Sequence, residues 1–284
     1  MKKWVFLFVI LILLLGYKVV QPKLGSGQDH QRERHIGDSS QEYQTINIEN
    51  GQVYQGNLLL VNKDYPVHPE GIKSDVVDLS LHKELVNGYR LLDDRIQLSE
   101  SVVQAFTKMV HAAISDHVSH FMINSGYRSL EEQRRLYKEM GSDYALPAGY
   151  SEHNLGVSLD IGSTQMKMEQ APEGKWLKEN SWKYGFILRY PEDKADITGI
   201  NYEPWHYRYI GLPHSAIMHE RHLTLEQYLD ALRNEKDMTA IVDGKTFEIS
   251  YYPISQSDTI QVPINRHYEI SGDNREGVIV TVYP

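Results

Sequence analysis

The chain contains no cysteine. That absence excludes a disulfide scaffold, a thiolate zinc finger, a cysteine-ligated iron–sulfur centre and a cysteine nucleophile. It also removes the thiol that a lipoprotein anchor would use. Basic charge is in short supply too: 29 Lys and Arg stand against 38 Asp and Glu, a formal net charge of -9. A protein that tracks a phosphate backbone needs the opposite balance, so no nucleic-acid partner is expected. No repeat at a solenoid period is visible. The chemistry left runs on oxygen and imidazole groups. It is carried by 284 residues, 41% of them hydrophobic, enough for one generous domain or two small ones.

The first twenty residues read as an address. Lys2 and Lys3 precede an apolar run from Trp4 to Gly16, and the run reaches Val20 if Lys18 snorkels. No A-x-A-like cleavage site follows, which favours an uncleaved signal anchor over a removed leader. Residues 1–20 are therefore expected to be a single-pass anchor in the cell membrane, with the rest of the chain on the extracytoplasmic side. Residues 21–55 are rich in Gln, Ser, Gly, Asp, Glu and Arg and poor in large apolar residues. Such a composition buries too little surface to offset the entropy of ordering, so a flexible linker is expected.

Order is expected from Gly56, with the apolar run Leu58–Val61 as a strand. Val102, Val103, Phe106, Met109, Val110 and Ala113 form one helical stripe after a capping Ser99. His120–Asn124 reads as a buried strand. Ser129 and Glu132 form a capping box for a helix whose apolar side is Leu130, Leu136, Tyr137 and Met140, closed by Gly141. Along 157–161, Val157, Leu159 and Ile161 alternate with Ser158 and Asp160, which places the polar pair together on the face away from the core. A helix over 175–184 ends at Gly185, a strand resumes over 186–190, and Thr224 with Gln227 caps a helix carrying Leu225, Tyr228, Leu229 and Leu232. After Asp237 the pattern changes to β-branched runs separated by Asp-Gly and Gly-Asp-Asn turns. The expected architecture is α+β: helices on a small antiparallel sheet over 56–236, then a small all-β accessory unit over 237–284.

Two segments carry the chemistry: Ser151-Glu-His153-Asn-Leu-Gly156-Val-Ser158-Leu-Asp160, and Glu203-Pro-Trp-His206. A catalytic zinc needs three nitrogen or oxygen ligands and one open position. His153 and His206 can supply imidazoles. Asp160 can supply a carboxylate from the polar side of its strand, and a bend at Gly156 lets His153 return to the same metal. Other histidines, such as His111, His117, His120, His219 and His222, read as solvent-facing or satisfied side chains.

Together with Asn124-Ser-Gly-Tyr-Arg128 and Gln133, these segments resemble the VanY-type D-alanyl-D-alanine carboxypeptidases. Those are zinc peptidases of the bacterial cell wall, related to the VanX dipeptidases and to the zinc domain of Hedgehog proteins. The likeness runs from about Leu58 to Leu229, and the metal motifs show no departure. It implies Zn2+ held by His153, Asp160 and His206, with Glu203 as general base and Arg128 supporting the oxyanion. It points to Gln133 and Ser158 for binding the substrate's terminal carboxylate, with Ser151 and Tyr150 shaping the pocket. The implied activity is removal of the terminal D-Ala from peptidoglycan pentapeptide stems or their lipid-linked precursors. That removal destroys the dipeptide that glycopeptide antibiotics such as vancomycin recognise, so a resistance role is implied.

Three alternatives share the metal pattern. An L,D-carboxypeptidase acting on tetrapeptides and an L-Ala-D-Glu endopeptidase differ only in pocket shape. A wall-binding module with a structural zinc would need neither Glu203 nor Arg128.

Overall fold

The structure is a computed structural model that describes residues 42–49, 51–141 and 145–284. The expected anchor over 1–20 and the linker residues 21–41 lie outside the described residues. Among the described residues no helix is long and apolar enough to cross a membrane.

The linker expectation fails at its end, because residues in that stretch form a strand, β1 (Tyr43–Asn47). It pairs antiparallel with Thr259–Pro263 near the C-terminus. Its neighbourhood has few apolar residues, but Ile46 and Ile48 are spaced to share one face and pack against Ile260 and Val262. The apolar run 58–61 is buried as expected yet joins no sheet among the described residues. Its backbone groups bond elsewhere: Leu58 N–H donates to Ser271 Oγ at 2.9 Å, and the Leu60 carbonyl accepts from Asn274 Nδ2 at 2.7 Å. A buried segment satisfied in this way needs no ladder.

Three short strands follow, β2 (Val76–Asp78), β3 (Arg90–Leu91) and β4 (Gln97–Ser99). They lead into α1 (Glu100–Ser115), which buries the stripe from Val102 to Ala113. Ser99 does not cap α1 with its own side chain. Asp75 takes over: its Oδ2 accepts from Ser101 N–H at 3.1 Å and from the Ser99 hydroxyl at 2.9 Å.

β5 (Phe121–Ser125) precedes α2 (Leu130–Met140). The capping box at Ser129 and Glu132 forms as the sequence requires. The face of α2 does not: Leu130 and Met140 are exposed, and the residue it buries is Gln133. The helix covers a polar site rather than the hydrophobic core.

β6 (Ser158–Ser163), α3 (Pro172–Asn180), β7 (Phe186–Leu188), α4 (Ala195–Thr198) and β8 (His206–Tyr209) complete the central region. The central sheet runs β3-β5-β6-β8-β7. Its pairs are antiparallel except β3 with β5, which are parallel. Val157, Leu159 and Ile161 face α1 through a core that includes Phe106, Phe121, Phe186 and Tyr207.

α5 (His214–Arg221) and α6 (Leu225–Glu235) are followed by β9 (Asp237–Val242), β10 (Lys245–Pro253), β11 (Thr259–Pro263), β12 (Tyr268–Gly272) and β13 (Gly277–Val282). Four of these strands make an antiparallel sheet, β12-β13-β10-β9. This sheet is not a free-standing appendage. Met238, Ala240, Ile249, Tyr251 and Ile279 share one core with Leu58, Leu60, Ile187 and the buried face of α6.

Candidate active site

The central sheet positions the site by register. Asp160 on β6 lies opposite His206 on β8, and opposite Ser125 at the irregular end of β5. Cross-strand partners in an antiparallel pair have Cβ atoms about 4.5–5.5 Å apart, so these side chains meet without any loop having to close. His153 arrives from a 3₁₀ turn over Glu152–Leu155 that ends at Gly156 with φ 85°, the left-handed conformation expected of a glycine bend.

Asp160 Oδ1 is the centre of the arrangement. His153 Nε2 stands 3.4 Å from it and His206 Nδ1 3.3 Å. One ligand atom from each of the three residues lies within 4.8 Å of the others. Asp160 Oδ1 is buried and has no hydrogen-bond partner among the described residues. A buried anionic oxygen without a donor, faced by two imidazole nitrogens, is what a divalent cation would satisfy. Two imidazoles and one carboxylate suit zinc and leave a coordination position open, so the donor set fits the expected metal.

His153 is fixed from behind. Its Nδ1 lies 2.6 Å from the Gly126 carbonyl, which draws the ring proton there and leaves Nε2 bare. Gly126 admits no side chain, because a Cβ would fall 2.1 Å from the Gln97 carbonyl oxygen.

Glu203 sits on the open side, its side chain 30% exposed, with Oε2 3.7 Å from His206 Nδ1. Burial raises its pKa above the ordinary carboxylate value; His206 opposes the rise, while the charges of Asp160 and Glu152 add to it. Arg128 is half-buried. Its Nη1 donates to Gln133 Oε1 at 2.7 Å and its Nη2 to Ser125 Oγ at 3.0 Å. Burial lowers the Arg128 pKa, against the opposing charges of Asp160 and Glu132.

The residues expected to hold a substrate carboxylate divide in two. Gln133 and Ser158 are buried and already engaged. Gln133 receives Arg128 and donates through Nε2 to the Leu146 carbonyl at 2.6 Å, and the Ser158 hydroxyl donates to Glu152 Oε2 at 3.2 Å. Tyr150 is half-buried and Ser151 buried, both just before the His153 turn. Trp205 is 37% exposed beside the site, and its carbonyl accepts from Ile161 N–H at 2.9 Å.

Sequence reasoning missed Glu152, Asn154, Arg189 and Arg208. Asn154 ties the site's loops together: its Nδ2 donates to the Arg128 carbonyl at 2.6 Å, and its Oδ1 accepts from Gly149 N–H at 3.1 Å. Glu152 lies fully buried between Arg189 and Arg208. The signal was present in the sequence, as charged residues inside apolar strand runs at Phe186–Tyr190 and Tyr207–Ile210. Such charges persist only when paired.

A D-alanyl-D-alanine carboxypeptidase of Enterococcus faecium is 56% identical to the chain over 294 residues, covering 100% of the chain and 97% of that relative. The family model for VanY, D-alanyl-D-alanine carboxypeptidase, matches residues 95–212, the stretch that holds every group described above.

The chain belongs to the VanY family of D-alanyl-D-alanine carboxypeptidases.

Solved structures agree with the VanY assignment. VanXYg, a vancomycin-resistance D,D-dipeptidase in complex with a D-Ala-D-Ala phosphinate analogue, matches with a TM-score of 0.73 at 30% identity, over 86% of this chain and 100% of that one. A mutant of the D,D-pentapeptidase VanY from a VanB-type resistance cassette, in complex with Zn(II), gives a TM-score of 0.51 at 29% identity. It covers 61% of this chain and 98% of that one.

Proposed function

We propose that this VanY-family chain hydrolyses the bond before the terminal D-Ala of peptidoglycan pentapeptide stems at a zinc site held by His153, Asp160 and His206. The observation that carries the reading is Asp160 Oδ1, without a hydrogen-bond partner among the described residues, with His153 Nε2 and His206 Nδ1 at 3.4 and 3.3 Å. His153, Asp160 and His206 would hold the zinc, which would supply a Lewis acid and bring the pKa of the attacking water towards about 7. Glu203 takes the proton from the attacking water and returns it to the amine of the departing D-Ala as the C–N bond breaks. Its raised pKa suits both transfers. Arg128, steadied by Gln133 and Ser125, donates its remaining N–H groups to the carbonyl oxygen as that oxygen gains negative charge. Tyr150 and Ser151 are the residues left to meet the substrate's free carboxylate. Gln133 serves indirectly through Arg128, and the Ser158 hydroxyl is taken up by Glu152.

The apolar run from Trp4, preceded by Lys2 and Lys3, supports a tether in the cytoplasmic membrane with the enzyme on the outer side, where lipid-linked precursors are exposed. Removal of the D-Ala there would support vancomycin resistance. The test is to supply the full chain, loaded with zinc, with a muramyl pentapeptide and with the tetrapeptide, and to follow free D-alanine by mass spectrometry. Release from the pentapeptide alone is the expected result. Release from the tetrapeptide instead would assign the chain an L,D-carboxypeptidase activity.

A further inference from the structure

Behind the metal-facing atoms lies a set of buried charges to which the reaction above assigns no role. Glu152 has no exposed side-chain surface, and neither do Arg189 and Arg208. Its two oxygens do different things. Oε1 accepts from Arg189 Nε and from Arg208 Nη1, each at 2.8 Å. Oε2 accepts from the Ser158 hydroxyl at 3.2 Å and faces His206 Nε2 at 3.5 Å.

We propose that Glu152 is a positioning residue for His206: its Oε2 draws the ring proton to Nε2 and so leaves Nδ1 bare toward the metal. This rests on reading His206 as a metal ligand. A neutral imidazole carries one N–H, and a metal takes the lone pair of the other nitrogen. His206 Nδ1 faces Asp160 and Glu203, so the proton must sit on Nε2. Among the described residues Nε2 is buried with no hydrogen bond of ordinary length, and the carboxylate oxygen facing it belongs to Glu152. A shift of roughly half an ångström brings that pair within the normal N–H···O range. The two histidine ligands are thus set in opposite senses, His153 by the Gly126 carbonyl at Nδ1 and His206 by Glu152 at Nε2.

The surroundings keep Glu152 aimed. Arg189 is clamped on its other side by Glu226, at 2.6 and 3.1 Å. Arg208 Nη2 donates to the carbonyls of Asn57 and Leu59, each at 3.0 Å. Leu58, between those carbonyls, is bonded to Ser271 of the C-terminal sheet at 2.9 Å. Groups of this kind around metal sites are worth about 10–100-fold in metal affinity.

The test uses the full chain with ¹⁵N-labelled histidine, titrated with zinc, and two-bond ¹H–¹⁵N correlation to assign each ring. The expected result is a His206 that binds through Nδ1 and carries a slowly exchanging proton on Nε2, with His153 in the reverse state. A zinc-loaded His206 protonated at Nδ1 overturns the proposal and leaves the ligand reading standing. His206 resonances that ignore zinc overturn both. In parallel, Glu152→Gln should weaken zinc binding about 10–100-fold, measured by chelator competition. An unchanged zinc affinity in a folded Glu152→Gln protein also overturns the proposal. If that variant does not fold, the tautomer in the unaltered chain decides alone.

Discussion

Asp160 on β6 and His206 on β8 are direct register partners, and His206 Nδ1 stands 3.3 Å from Asp160 Oδ1. Two of the three metal-facing groups therefore belong to one rigid ladder. Only His153 depends on a turn, and that turn is held by the Gly126 carbonyl and by Asn154. A site built on strands keeps its geometry better than one built on loops.

Arg128 is predicted to act on the transition state more than on binding. Arg128→Lys should lower kcat by about 10²–10³-fold with a smaller change in KM, since a lysine cannot bond Gln133 and Ser125 while also reaching the carbonyl oxygen. Gln133→Ala should show the same split with a smaller loss. Steady-state kinetics on the pentapeptide check both; a pure KM effect would place Gln133 in substrate binding.

Metal binding should be coupled to proton release. Without metal, burial disfavours charge on His206, but the Asp160 and Glu152 carboxylates facing its two ring nitrogens outweigh it and lift its pKa to about 9. Burial keeps the His153 pKa below its ordinary value. Zinc must then displace one proton from His206, and apparent affinity should rise about tenfold per pH unit as pH rises from about 6 towards neutrality. Calorimetry at about pH 6 in buffers of different ionisation enthalpy should report the release of one proton per zinc. The metal-free protein should behave oppositely in stability. The raised pKa of His206 stabilises the fold fully below about pH 6.5, and that contribution is lost as pH rises through about 9.

His214 makes a separate acid sensitivity. It is buried between the Tyr228 hydroxyl at 2.7 Å and Thr281 Oγ1 at 2.9 Å, and burial pushes its pKa down to about 3. A depressed histidine stabilises the fold above about pH 6.5 and withdraws that stability as pH falls towards 3. Denaturant unfolding between pH 6.5 and 4 should show a loss of about 1.4 kcal/mol per pH unit from this group. His214→Gln should flatten that slope while leaving zinc binding unchanged.

The C-terminal sheet should be required for folding, not merely appended. Ile249 is 1% exposed in the core that β10 shares with Leu58, Leu60 and α6. Ile249→Ala should cost about 2–5 kcal/mol, seen as a lowered denaturation midpoint. A chain ending at Lys236 should fail to give a cooperative unfolding transition.

How much of this was legible in the sequence depended on whether the controlling interaction is local. The α1 stripe, the capping boxes at Ser129 and Thr224, and the alternation that puts Asp160 opposite the core follow from neighbours within a few residues. The segment 58–61 has the apolar run of a strand but no partner strand among the described residues, because its backbone groups are taken by Arg208, Ser271 and Asn274. β1 depends on a partner more than 200 residues away. Gln133 stands out in the sequence only through the family resemblance, and Glu152 reads as an ordinary polar turn residue; what defines them is Arg128 in one case and Arg189 with Arg208 in the other.

The most direct test of the account compares the zinc-loaded full chain with its Glu203→Gln variant, measuring zinc content and D-alanine release from the muramyl pentapeptide. Both proteins should hold one zinc per chain, with release by the variant lowered about 10²–10⁴-fold, and with release by the unaltered chain abolished by a chelator. Undiminished release by Glu203→Gln, or release that survives complete removal of the metal, would contradict it.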